Sequence, residues 1–271
     1  MRMTNGDSFI NILGEIIPGI ERDGLCKLKV PPLLIDEICN SIFEQYEVNS
    51  FEDLSIKINK LSDDEFSKIA RKINRFLNYE ICLKIEKWIK DSNELRNILK
   101  YQEIRISNIT PYEYQESKNL RPNHLDIFFR LIRQYKKDIG PVHYDELIFK
   151  QAKNSDAEVS QNENEERWKI WIPLEGVNDR NALQFVKGSH LENVPWYIDL
   201  KRTTQTSLAA GKVGSPAIDE EWLSINEKNF KPEAWRIGEA ILFHDKLVHR
   251  GPINHSSKLR TSIEFTILIV K

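Results

Sequence analysis

The feature of this sequence that most restricts its fold is a change of periodicity near residue 140. Before that point apolar residues recur at intervals of three and four, the mark of helices that bury one face. Pro32–Tyr46 places Leu33, Leu34, Ile38, Ile42 and Phe43 on such a stripe. Ser62-Asp63-Asp64-Glu65 reads as a capping box ahead of Phe66, Ile69, Ile73 and Phe76. Ile81, Ile85, Trp88 and Ile89 predict a further helix, and Leu125–Tyr135 one more. After residue 140 the segments shorten to His143–Lys150, Trp168–Pro173, Ala182–Val186, Glu239–Phe243 and Arg260–Val270. They are rich in Ile, Phe, Trp and Val, and turn residues such as Lys187-Gly188-Ser189 separate them. Short strands without intervening helices favour a sandwich or barrel over a parallel sheet. The expectation is one domain over 1–271: a mostly helical part, 1–140, then an antiparallel jelly-roll core, 141–271. Two irregular stretches, 153–167 and 191–235, are long enough to expect lids. The second carries Trp196, Trp222 and Trp235, which suits an ordered cover.

Composition removes several functions. A chain of 271 residues can bury a core without disulfides or structural metal. The net charge of −2 leaves no footprint for nucleic acid. No apolar run approaches the roughly 20 residues that span a bilayer, and Met1–Asp7 lacks the order of a signal peptide. A cytoplasmic protein is expected, with no nucleic-acid or membrane partner; the sequence does not speak to oligomeric state. Cys26, Cys39 and Cys82 match no zinc spacing and read as buried free thiols.

Two of the six histidines begin a His-x-Asp triplet. His124-Leu125-Asp126 opens a stretch of helical period, where residues two apart do not share a face. His143-Tyr144-Asp145 opens a strand-like stretch, where they do. Only the second readily offers an imidazole and a carboxylate to one ion. A third ligand is needed, and His249, 106 residues downstream, supplies it best. Two histidines and a carboxylate on one face of an octahedron suit Fe(II) with open positions. Zinc or manganese on the same ligands, in a hydrolase or isomerase, is the alternative, and a non-catalytic jelly-roll binding protein is another.

Eleven residues after His249 comes Arg260-Thr261-Ser262. In a strand, Arg260 and Ser262 share a face. A guanidinium fork matches a carboxylate, and a hydroxyl can donate to it as well. This pair is what the distal carboxylate of 2-oxoglutarate would need.

With these residues in view, the chain resembles the phytanoyl-CoA dioxygenase family of Fe(II)/2-oxoglutarate oxygenases. Ile20–Leu25 with the following helix resembles the family's opening strand and helix, and His143-Tyr144-Asp145 its His-x-Asp motif. Trp168–Leu174 with Asn181–His190 resembles its most recognisable stretch. Gly238–His244, His249, Arg260 and Ser262 follow in the usual order. Ala182 and Lys187 depart from the usual Gly and Pro. The resemblance implies a double-stranded β-helix (cupin-like), mainly β with flanking helices. It implies Fe(II), 2-oxoglutarate and dioxygen, with decarboxylation to succinate and CO2 coupled to oxidation, usually hydroxylation, of a small molecule. His143, Asp145 and His249 would be the catalytic metal ligands. Arg260 and Ser262 would bind the cosubstrate, with Gln184 as a further polar contact. In relatives the block of Trp171, Asn181 and Gln184 flanks the cosubstrate pocket; Trp171 and His190 read as structural, and His244 as structural or as a support to the ligands. Glu264 shares the face of Arg260 and needs a partner, either Arg260 or a substrate. Arg130 and Arg133 read as solvated.

Overall fold

The computed structural model describes residues 19–66, 79–106, 127–134, 136, 138, 141–147, 165–201, 214–233 and 236–271. About a third of it is helix and about a third strand, in line with the expected antiparallel core flanked by helices.

The frame is a six-stranded antiparallel sheet. Its strands are β1 (Leu25–Lys29), β2 (Glu103–Ile106), β3 (Ile127–Ile132), β4 (Glu165–Glu175), β9 (Glu239–His244) and β11 (Arg260–Val270). They run in the order β1-β9-β4-β11-β2, and β3 also pairs with β11. Two short strands share one edge of β11: β3 takes Arg260–Phe265 and β2 takes Ile267–Val270. Along its other edge β11 pairs with β4, and the register shifts between Thr261 and Ser262.

Side chains alternate across this sheet. Trp168, Ile170, Ile172 and Leu174 of β4 share one cluster with Ile263, Phe265, Ile267 and Ile269 of β11. Among the described residues, α1 (Pro32–Tyr46), α2 (Phe51–Asn59), α3 (Tyr79–Asp91) and α4 (Asn93–Leu99) cover that face, with Phe66. Proline stands at the start of α1, where its missing N–H costs nothing. Leu34, Ile38 and Ile42 point inward from it. Ser50 and Ser92 cap α2 and α4, each accepting from a backbone amide. The capping box forms as expected: Ser62 accepts from the Glu65 amide, and Glu65 accepts from the Ser62 amide at 2.9 Å.

The opposite face looks towards a second sheet of β5 (Gln184–Phe185), β8 (Lys231–Pro232) and β10 (His249–Arg250), in the order β10-β5-β8. Trp171, Leu25, Ile241 and Phe243 of the large sheet meet Phe185 of the small one in a second apolar cluster. The 191–235 stretch is largely ordered where it is described. It holds a hairpin of β6 (Trp196–Asp199) and β7 (Ser215–Ile218), then α5 (Glu220–Asn226). Val194, Ile218 and Phe230 from this stretch form a third cluster with Tyr144, Leu147 and Val248.

Several expectations need correction. Leu125–Tyr135 is not a helix where it is described, because Ile127–Ile132 is β3. Ile127, Phe129 and Leu131 alternate as well as they fit a helical stripe, and pairing with β11 decides between the two periods. Residues 19–23 form a helical turn, and the first strand starts at Leu25. The expected strand His143–Lys150 does not form over its described residues, 143–147: His143 makes one bridge, and the chain then turns through Asp145. Residues 148–150, 153–164 and Trp235, like His124 and Asp126, lie outside the described residues, and 165–167 already belong to β4. Cys26 and Cys82 are buried and in no disulfide, as expected, but Cys39 is only partly covered. No helix among the described residues is long and apolar enough to cross a membrane.

Candidate metal centre

His143 and His249 are brought together by backbone pairing. Each amide donates to the other's carbonyl, at 3.1 and 2.9 Å, and the rings stand 4.4 Å apart. The turn after His143 is held by the Glu146 amide, which donates to the Asp245 carbonyl at 3.2 Å. Asp145 therefore reaches the two imidazoles from a turn, not from the face of a strand. One donor atom from each of His143, Asp145 and His249 lies within 4.8 Å of the others.

The donor set fits a divalent metal on three further grounds. His143 Nδ1 lies 2.7 Å from the Pro141 carbonyl, and His249 Nδ1 lies 3.0 Å from the Leu247 carbonyl. A carbonyl only accepts, so both rings carry their proton on Nδ1 and keep the Nε2 lone pair for a ligand. Asp145 Oδ2 is buried without a hydrogen-bond partner, which is costly unless something else satisfies it. Burial first, and then the neighbouring His143, push the His249 imidazole down to about 4, so it is neutral near pH 7, as a ligand must be. Burial alone would raise Asp145. Lys169 foremost, with His249, His143 and Arg167, holds it below the usual carboxylate range instead.

Aromatic rings wall the centre. Phe243 lies 5.0 Å from the His249 ring and Phe185 6.1 Å from it. Both belong to the second apolar cluster with Trp171.

Arg260 and Ser262 lie on the site-facing side of β11, 5% and 3% exposed. Arg260 Nη1 donates to the carbonyls of Asn181 and Pro252. Among the described residues no carboxylate lies within ion-pair distance of it. Burial lowers this guanidinium to about 10, so it stays charged at neutral pH. A buried cation braced, among the described residues, by carbonyls alone could take an anion. Asn181 holds the brace in place: its amide donates to Gly176 O and Asn254 Oδ1, both at 2.8 Å.

The other candidates have protein partners. Gln184 Oε1 accepts from Arg250 Nε at 2.8 Å, and Arg250 also pairs with Glu227 at 2.8 Å. Glu264 is paired with Arg130, which donates to it through Nε at 3.0 Å. Its partner is therefore neither Arg260 nor left to a substrate, and Arg130 is not a free surface group. Arg133 is buried, bound to Asp138 at 2.8 Å and set over the Phe66 ring at 3.8 Å, so the solvated reading fails for it too. His190 and His244 are structural. His190 packs under Gly24, where φ is 76° and a Cβ would strike the ring, and His244 lies edge-on to Trp168. The sequence reading passed over Lys169, whose ammonium is 3.4 Å from Asp145 Oδ1. Its signal was a lone charge inside the apolar run Trp168–Leu174.

The model of the phytanoyl-CoA dioxygenase (PhyH) family matches residues 59–262. No curated protein matches the sequence. Among solved structures, EctD from S. alaskensis, with 2-oxoglutarate and 5-hydroxyectoine, is similar at 13% identity and a TM-score of 0.54, covering 93% of this chain and 74% of that one. EvdMO1 is similar at 16% identity and a TM-score of 0.47, covering 94% of this chain and 49% of that one, so the chain spans about half its length. SnoN, an α-ketoglutarate-dependent epimerase from nogalamycin biosynthesis, is similar at 12% identity and a TM-score of 0.45, covering 96% and 82%. At 13% identity the likeness to EctD speaks for the fold alone, while the family match extends over three quarters of the sequence, with His143, Asp145 and His249 inside it. The chain belongs to the phytanoyl-CoA dioxygenase family of Fe(II)- and 2-oxoglutarate-dependent oxygenases.

Proposed function

We propose that this protein hydroxylates a small molecule, with Fe(II) held by His143, Asp145 and His249 and 2-oxoglutarate anchored by Arg260 and Ser262. The observation that carries the reading is Arg260: a buried, charged guanidinium on the strand face that looks into the site, with no carboxylate partner among the described residues. A metal hydrolase would have no use for such a cation. An enclosed centre, with Asp145 and His249 7% and 6% exposed, suits a small substrate. A single domain with 191–235 as its cover belongs to the same reading.

Iron and the 2-oxo acid would supply an oxidant from dioxygen, giving succinate and CO2 and leaving one oxygen atom for the substrate. The chain's own residues do the rest. The Pro141 and Leu247 carbonyls aim the two imidazoles by holding their Nδ1 protons. Arg260 fixes the far carboxylate of the cosubstrate, with the Ser262 hydroxyl as second donor. Trp171, Phe185 and Phe243 exclude water beside His249. Gln184, whose amide oxygen accepts from Arg250, would offer its amide N–H groups as a further polar contact to the cosubstrate.

The test is an anaerobic titration of metal-free protein with Fe(II) and then 2-oxoglutarate, followed by visible absorption. A weak charge-transfer band should need both additions and be absent in His143→Ala. Admission of air should then give succinate. No band in the wild-type protein, with tight binding of another divalent metal, would favour a hydrolase.

A further inference from the structure

Lys169 stands on β4 between Trp168 and Ile170, both packed towards the helices. Its side chain therefore turns to the site face, where it is 7% exposed. An apolar residue would fill that position without the penalty of burying a charge. What Lys169 has in return is Asp145: Nζ lies 3.4 Å from Oδ1, its only ion pair among the described residues. The second oxygen of the same carboxylate, Oδ2, is buried without a hydrogen bond and lies 3.8 Å from His249 Nε2. One oxygen is thus held by an ammonium, and the other is left for the metal.

We propose that Lys169 is a positioning residue that holds Asp145 by one oxygen, so that the carboxylate binds metal through the other alone. This rests on the metal site proposed above. A carboxylate can ligate through one oxygen or both. With two histidines and one oxygen, three positions of an octahedron stay open. With both oxygens bound, two stay open, and a chelating 2-oxo acid would fill them. Lys169 guards the third.

Mn(II) alone serves as the probe, with water-proton relaxation as the count of waters on the bound ion. In Lys169→Met the relaxation enhancement per bound Mn(II) should fall by about one third, as one water of three gives way to the second oxygen. Lys169→Arg, which keeps the charge, should restore it. A wild-type protein that binds no Mn(II) overturns the metal site itself. Wild-type binding with an unchanged enhancement in Lys169→Met overturns the role of Lys169 alone. A second measurement covers a Lys169→Met protein that folds poorly: denaturant unfolding of metal-free Asp145→Asn and Asp145→Asn/Lys169→Met. If the two residues are partners, Asp145→Asn leaves a buried charge unpaired and the double variant is the more stable. A double variant no more stable than Asp145→Asn overturns the pairing.

Discussion

The two faces of the large sheet are made by the same strands and obey different rules. Facing the helices, β4 and β11 present Ile170, Ile172, Ile263, Phe265 and Ile267, all buried in one apolar cluster. Facing the small sheet they present Lys169, Arg260, Ser262 and Glu264. On the first face, area removed from water fixes the structure, and neighbours are exchangeable at equal volume. On the second, each charged group has named polar partners: Asp145 for Lys169, Arg130 for Glu264, and the Asn181 and Pro252 carbonyls for Arg260. A one-residue slip of β11 would exchange the two sets, so the sheet's register protects fold and site together.

Substitutions can break this division, and the largest effect belongs to the site. Asp145→Ala should abolish Mn(II) binding and metal-dependent turnover, measured by calorimetry and succinate release; retained turnover would sink the metal assignment. On the helix side, Phe265→Ala should lower unfolding free energy by about 3–5 kcal/mol without weakening Mn(II) binding to whatever protein remains folded. A parallel loss of metal affinity would show that the two faces are not separable. Arg260→Ala should weaken 2-oxoglutarate by about 2–4 kcal/mol, the scale for truncating a buried charged pair, and leave Mn(II) affinity almost unchanged.

The smallest effect sharpens the comparison through pH. Burial would raise Glu264, but Arg130 foremost, with help from Lys169, draws it below the usual carboxylate value. A depressed carboxylate gives stability that is present above its unfolded value of about 4.3 and lost as pH falls through its folded value. Glu264→Gln should therefore cost about 1 kcal/mol near pH 7, given that Arg130 is partly exposed, and the deficit should vanish in acid. Thermal unfolding from pH 7 to pH 3 measures it, and a deficit that stays constant would mean packing, not charge, holds Glu264.

What could be read from the sequence follows the same division. β4 and β11 were legible because strands buried on both faces leave long runs of Ile, Trp and Phe bounded by turns. His143, Asp145, His249 and Arg260 were legible because their types and order restrict the chemistry. The stated reason for pairing His143 with Asp145 was wrong all the same, since a turn and a backbone bridge to His249 place them. β3 was missed because Ile127–Ile132 satisfies both periods, and only its pairing with β11 selects one. The partners Arg130 and Glu264 stand 134 residues apart, and no local pattern joins them. Lys169 carried a local signal, a charge within an apolar run, but its meaning depends on Asp145 across the fold.

The third apolar cluster has a consequence for how the protein breathes. Tyr144 sits between two of the proposed metal ligands and Val248 precedes the third, and both pack on Val194, Ile218 and Phe230. Segments that share an apolar cluster open as one cooperative unit. A fluctuation that lifts Val194, Ile218 and Phe230 from this cluster would also slacken the backbone bridge between His143 and His249. Ion retention and exchange with solvent are then governed by one opening equilibrium, so the amide protons of those two histidines should exchange in step with those of Val194 and Ile218.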